Sequence, residues 1–257
     1  MVVMYSAVRG AFAVAGALAM AATLSVGVGR AADMPAIAAI TTPSAAAIEP
    51  PSGSVVGVGY PVTVTFTAPV GDRAAAERGI HVSSSGNTPG GFNWTSDRVV
   101  QWIPDGYWPA HSKIKVDAHG LTTGFETGDA VLAVARIADH TFTVSINGDV
   151  VRVMLASMGK PKRPTPIGSF TALSKERNIT FDSRTIGIPL NDPEGYLIKG
   201  QYAVRVTWGG VYVHSAPWSV GSQGYANVSH GCINLSPDNA AWYFDTVHLG
   251  DPIIVQA

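Results

Sequence analysis

Apolar and polar residues alternate in short runs along most of this chain. Val62-Thr63-Val64-Thr65-Phe66-Thr67 and Lys113-Ile114-Lys115-Val116 keep a strict period of two, the pattern of a strand with one buried face. Ile80 to Ser83, Phe92 to Thr95 and Val99 to Ile103 are further strand candidates, separated by turn signals such as Pro104-Asp105-Gly106. Short strands and turns at this spacing predict a β-sandwich, with Trp94 and Trp102 in its core. Asp72, Glu77, Asp97 and Asp105 fall among the turns and read as solvent-facing.

The second half opens with a hairpin signal. Thr141 to Ile146 meets Val150 to Met154 across Asn147-Gly148, a pair suited to the positive φ angles of a tight hairpin turn. Pro164-Thr165-Pro166-Ile167-Gly168-Ser169-Phe170 reads as a rigid turn entering a strand. Tyr202 to Thr207 and Val211 to His214 form a second hairpin across Gly209-Gly210. One helix is predicted, with Ser236 as N-cap, Pro237 in its first turn and Gly250 beyond its end. Pro252 to Val255 closes the chain as a strand. The expected fold is mainly β: a sandwich over 52–137, then a β-rich domain over 138–257 with one main helix.

The N-terminus reads as an export segment. Arg9 precedes the uncharged run Ala11 to Val28, and Ala31 and Ala32 offer small residues for cleavage. Residues 1–32 are therefore a signal peptide or an uncleaved anchor, the only membrane contact expected. Residues 33–51, rich in Ala and Pro, read as an extended linker. With 17 basic and 18 acidic residues, the chain lacks the basic face that nucleic acid requires. A local basic cluster, Lys160-Pro161-Lys162-Arg163-Pro164, is either a solvated turn or a weak attraction for an acidic ligand.

The chain holds a single cysteine. Exported proteins use cysteines in pairs, so a lone one suggests a reactive thiol, an intermolecular bridge or a small buried side chain. Cys232 sits in Ser229-His230-Gly231-Cys232-Ile233-Asn234, and His214 begins His214-Ser215-Ala216-Pro217-Trp218. A thiol needs a base or a positive neighbour to react, and both histidines are candidates. If His230 and Cys232 lie on an extended segment they share a face. Gly231 has the freedom to turn an amide toward an oxyanion, Asn234 would brace the loop, and Ser215 or its carbonyl would orient the base. The sequence leaves open which imidazole takes the proton. It also leaves open a zinc site of His214, His230 and Cys232, although no HExxH or CxxC accompanies them and no cofactor is expected.

These two strings resemble the active-site motif of the L,D-transpeptidases of the YkuD family, and Thr165 to Phe170 matches a second family signature. The resemblance covers Asp139 to Val255. The upstream sandwich resembles the immunoglobulin-like domain of the mycobacterial-type members. The resemblance implies a periplasmic or cell-wall enzyme acting on peptidoglycan stem peptides. Cys232 would attack the diaminopimelate carbonyl of a tetrapeptide stem, release D-alanine and form a thioester. A diaminopimelate amine of a neighbouring stem would resolve it into a 3→3 cross-link. By the same resemblance His214, oriented through Ser215, is the base, and His230, Gly231 and Cys232 form the oxyanion segment. Asn234 stands beside it, Tyr196 lies in a mobile flap, and Phe181 and Trp218 line the substrate channel. Acylation by carbapenems follows from the same chemistry. The chain stops seven residues after Gly250, without the C-terminal extension of some relatives, which bears on domain docking. Two alternatives remain: an L,D-carboxypeptidase with water as acceptor, and a non-catalytic wall-binding protein.

Overall fold

The computed structural model describes residues 43–257. The expected export segment and the linker up to residue 42 lie outside the described residues. Among the described residues no helix is long and apolar enough to cross a membrane.

The first part of the chain runs β1 (Ala45–Glu49), β2 (Val55–Val56), β3 (Val62–Phe66), α1 (Arg73–Arg78), β4 (Ile80–Ser84), β5 (Gly90–Trp94), β6 (Val99–Pro104), β7 (Lys113–Ala118) and β8 (Leu121–Thr127). Two four-stranded sheets, ordered β1-β3-β6-β5 and β2-β8-β7-β4, share one apolar core. The period of two explains this packing: Val62, Val64 and Phe66 point inward while Thr63 and Thr65 remain partly exposed. Trp102 lies in the core and stacks on Trp108 at 5.0 Å.

Three sequence expectations need correction here. Residues 45–49, read as linker, form β1 and pair antiparallel with β3, because Ile48 packs against the core and Ala45 is buried in it. Trp94 is only partly buried: its indole N–H donates to Glu77 Oε1 at 2.7 Å. Glu77 therefore is not merely solvent-facing, whereas Asp72 is exposed as expected and caps α1 by accepting from the Ala75 N–H at 2.9 Å. Trp108, which carries no periodic signal, is more deeply buried than either predicted tryptophan.

The second part runs β9 (Val131–Arg136), β10 (Thr141–Ile146), β11 (Asp149–Leu155), β12 (Gly168–Thr171), β13 (Ser174–Asp182), β14 (Leu197–Arg205), β15 (Tyr212–Ser215), β16 (Ile233–Leu235), α2 (Pro237–Thr246) and β17 (Pro252–Gln256). One sheet is ordered β11-β10-β9-β17-β12 and the other β13-β14-β15-β16. Here the expected boundary at residue 137 shifts. β9, read as part of the sandwich, pairs antiparallel with β10 and parallel with β17. Asn147 and Gly148 join β10 to β11 with φ of 51° and 95°, the two positive angles that such a turn demands. α2 packs across β14 and β15 through Ala240, Tyr243 and Phe244. Ser236 precedes it in an extended conformation, but its side chain makes no capping bond.

The two parts interlock. The Gly57 N–H donates to Leu249 O at 2.8 Å and the Gly59 N–H to Gly250 O at 3.0 Å. Between them the Val58 N–H donates to Asp251 Oδ1 at 3.2 Å. This approach is possible only for glycine at 57, where a Cβ would lie 2.1 Å from the Asp251 nitrogen. Asp251 is fully buried, also accepts from the His248 N–H at 2.7 Å, and burial pushes its carboxyl up to about 7.

Candidate active site

β15 and β16 are parallel neighbours in which His214 lies opposite Asn234 and Val213 opposite Ile233. Residues two apart on a strand share a face, so Cys232, immediately before β16, falls on the side of Asn234 and His214. The crossover between these strands includes a 3-10 turn over Pro217–Ser222 and then a loop tied to residues 157–160. Ser157 Oγ donates to Ala226 O at 2.7 Å, and Asn227 Oδ1 accepts from the Met158 N–H at 2.9 Å. The Ser229 N–H donates to Met158 O, and the Lys160 N–H donates to Ser229 O. The nucleophile segment is thus held by its surroundings.

Its last turn is held by two hydroxyls. Ser229 Oγ donates to Cys232 O at 2.6 Å and accepts from the Gly231 N–H at 3.1 Å. Thr165 Oγ1 donates to Gly231 O at 2.9 Å and accepts from the Gly159 N–H at 2.9 Å. Gly231 has φ of +121°, a conformation that side chains rarely permit. Two expectations change in consequence. The segment is not extended at Gly231, so the alternation argument for His230 and Cys232 does not apply, although both still line the same cavities. The Gly231 N–H, expected to face an oxyanion, is engaged by Ser229 in this structure.

His214 is almost wholly buried, at 4% exposure. Its Nδ1 lies 2.8 Å from Ser215 O, and a carbonyl can only accept. The proton therefore sits on Nδ1, and Nε2 is the free acceptor. Ser215 acts through this carbonyl. Burial outweighs that hydrogen bond and pushes the His214 pKa down to about 4. Cys232 is partly exposed to the cavity but otherwise enclosed. Burial pushes its thiol up to about 11, against the partial relief of the Tyr212 backbone N–H, and Sγ lies 3.7 Å from Gly210 O. Both groups rest uncharged.

The His230 ring is engaged by other partners. Its Nε2 lies 3.2 Å from Lys160 Nζ and 3.8 Å from Glu194 Oε2, and its ring lies 5.0 Å from that of Tyr196. An ammonium can only donate, so Nε2 accepts here. Burial first, then the Lys160 charge, lowers the His230 pKa. Among the described residues no group of three His, Cys, Asp or Glu is arranged to hold a metal ion, so the zinc grouping of His214, His230 and Cys232 is not assembled.

Two cavities of about 440 Å³ each meet at Cys232. The first holds His214, Trp218, Asn234, Lys160 and Glu194, and the second holds Glu176, Arg205, Trp208 and Tyr212. Phe181, Tyr196 and His230 line both. Phe181 lies 4.4 Å from the His214 ring and Trp218 lies 5.9 Å from it. Trp218 is 49% exposed, so it is not core packing. Asn234 Nδ2 donates to Ser219 Oγ at 3.1 Å, while its buried Oδ1 has no partner. Tyr196 is raised above its ordinary pKa, first by burial and then by Cys232, so its hydroxyl keeps its proton. The expected site residues thus gather around one thiol. Glu194, Gly210 and the Tyr212 amide were missed, and no local sequence signal marks them.

Comparisons with known proteins give the family. Residues 130–255 match the family profile described as the L,D-transpeptidase catalytic domain, and residues 18–122 match a bacterial Ig domain. The chain is 65% identical to L,D-transpeptidase 1 of Mycobacterium tuberculosis over 213 residues, 83% of this chain and 85% of that protein. A solved structure of the L,D-transpeptidase LdtMt1 in complex with imipenem superposes with a TM-score of 0.79 at 65% identity, covering 83% of this chain and 99% of that one. A structure of L,D-transpeptidase 3 from Mycobacterium tuberculosis with a faropenem-derived adduct gives 0.77 at 49% identity, covering 83% and 98%. The sandwich is an Ig-like domain, and the chain belongs to the L,D-transpeptidase family of YkuD enzymes.

Proposed function

We propose that this L,D-transpeptidase is an exported cysteine acyltransferase that cross-links peptidoglycan stem peptides. The observation that carries the reading is His214. Its Nδ1–H is committed to the Ser215 carbonyl, and it lines one cavity with the chain's only cysteine. Nε2 takes the thiol proton as Sγ attacks the diaminopimelate carbonyl of a tetrapeptide stem. The Tyr196 hydroxyl and the amides of the Gly231–Cys232 turn receive the developing oxyanion; for Gly231 this requires sharing the N–H now given to Ser229. His214 returns the proton to the departing D-alanine and leaves a thioester on Cys232. A diaminopimelate amine of a second stem attacks that thioester, gives its proton to His214 and restores the thiol. Two cavities meeting at one sulfur suit a reaction that brings two peptides to one atom.

Phe181, Trp218 and Asn234 line the channel for the stem, and Asn234 Oδ1 offers an acceptor to a peptide N–H. The imipenem complex of a relative supports acylation of this chain by carbapenems through the same thiol. Residues 1–32 direct the chain across the cytoplasmic membrane, as signal peptide or anchor, to the periplasm or cell wall.

The test is mass spectrometry of the purified protein with a tetrapeptide stem ending in diaminopimelate and D-alanine, with Cys232→Ala as control. A dimer lighter than two monomers by one alanine molecule, absent from the control, is expected. Tripeptide without dimer would make water the acceptor and the enzyme a carboxypeptidase. No product in either sample would end the reading.

A further inference from the structure

The sheet β11-β10-β9-β17-β12 buries one face in the catalytic core and turns the other away from it. Strand register shows what that outer face holds, because directly paired residues on neighbouring strands share a face. Its middle row runs Val153, Thr143, Val134 and Ile254. One end row runs Leu155, Thr141 and Arg136, and the other Val150, Ser145 and Leu132. Among the described residues, none of these belongs to an apolar core or packs against one. Val150, Val153 and Leu155 are 62%, 63% and 54% exposed. A solvated sheet face ordinarily carries polar residues against the apolar inner one. Here aliphatic side chains and small hydroxyls fill the rows, and Arg136 is their one charge.

We propose that this outer face is the contact of a symmetric homodimer, two copies stacked face to face about a twofold axis along the middle row. Area supports a second copy as the occupant. Five strands about 4.8 Å apart, each about six residues long at about 3.3 Å per residue, make a face about 20 Å on each side. Stacking two such faces removes on the order of 1,000 Å² from water, where specific pairing begins. Charge selects the axis. Arg136 stands at one end of β9, and Asp149 stands at the other end of the sheet, paired with Ile146 and through it aligned with Val131. An axis along the middle row carries each Arg136 to the end of the partner that holds Asp149. An axis along the strands would stack Arg136 on Arg136, since β9 is the central strand, and like charges reject that arrangement. Growth by the edge is blocked as well. β11 holds an extra residue, Val151, between the partners of Val144 and Ser145, and such a bulge spoils the ladder a new strand would need. None of the face residues lines either cavity at Cys232, so the dimer leaves both thiols open.

The test is the oligomeric state of the purified protein by sedimentation equilibrium. The parent is expected to be half dimeric by about 50 μM, a weak pair for a small interface. Val153→Lys puts two ammonium groups on the axis and should raise Kd at least about tenfold. Val55→Lys, equally exposed but on the sandwich, should leave Kd unchanged, and all variants should keep the parent Tm and imipenem acylation rate. Arg136→Glu should weaken pairing, and adding Asp149→Arg should recover part of the loss. A parent that stays monomeric to about 500 μM would overturn the proposal. So would a Kd that Val153→Lys leaves unmoved, or one that Val55→Lys weakens as much. No recovery in the double variant would overturn the axis. A monomer that instead sediments with phospholipid vesicles, and loses them in Val153→Lys, would give the face to a membrane surface and overturn the dimer.

Discussion

Because thiol and imidazole both rest uncharged, the reactivity of Cys232 toward a small electrophile should show no plateau near neutral pH. The thiol stands at about 11 and the imidazole at about 4, and burial opposes charge in both. Four pH units below the thiol pKa, the resting thiolate is about one part in 10⁴, equivalent to about 5 kcal/mol. On the proposed mechanism, acylation of a peptide or lactam recovers that cost by passing the proton to His214 as the sulfur–carbon bond forms. The perturbations are pH and His214→Ala; the assay is the rate of iodoacetamide alkylation followed by intact mass. With one cysteine in the chain, the added mass reports a single site. In both proteins the alkylation rate should rise about tenfold per pH unit from 6 to 9, because iodoacetamide needs only the thiolate. Acylation by imipenem, which needs the base, should fall about 10²- to 10⁴-fold in His214→Ala. A flat alkylation rate between pH 5 and 8, lost in His214→Ala, would refute the reasoning by revealing a preformed thiolate–imidazolium pair.

Three other outcomes follow from the packing. Gly57→Ala should lower stability by about 1–3 kcal/mol in thermal unfolding, since its Cβ would meet the Asp251 backbone nitrogen at 2.1 Å. Asp251 titrates near 7 when folded against an ordinary 3.8, so the folded state keeps a proton that the unfolded chain loses. Its contribution to stability is full below about pH 4 and is lost as pH rises toward 7; Asp251→Asn should flatten the pH dependence of Tm across that window. Ser229→Ala removes the acceptor of the Gly231 N–H and the donor to Cys232 O. It should cost about 1–3 kcal/mol of stability and slow acylation by imipenem, as seen by comparing Tm and acylation rate in one preparation.

What was legible in the sequence was local. Asn147-Gly148 announced its hairpin because the turn chemistry lies in two adjacent residues, and the alternation at Val62 to Phe66 announced a strand because burial follows the period. The motif around Cys232 was legible for the same reason. What was hidden depends on partners distant in sequence. β9 looks like one more sandwich strand until β17, more than a hundred residues later, pairs with it. Glu194 is an ordinary loop acid until Lys160 and His230 surround it. Asp251 carries no sign of burial, because its partners at Val58 and the glycines beside it come from the other end of the chain. His230 reaches the same cavities as Cys232 without the alternation of an extended segment, since Gly231 between them has a positive φ.

The junction at Gly57, Gly59 and Asp251 sets a limit on where the thiol can work. β8 and β9 are separated by residues 128–130, and even these are tied down. The Gly128 N–H donates to Val56 O at 2.9 Å, and the Ala130 N–H donates to Asn147 Oδ1 at 2.8 Å. No pivot lies between the sandwich and the catalytic strands, so whatever holds residue 43 holds Cys232 with it. Any swing of Cys232 relative to β1 would therefore have to break one of these bonds first.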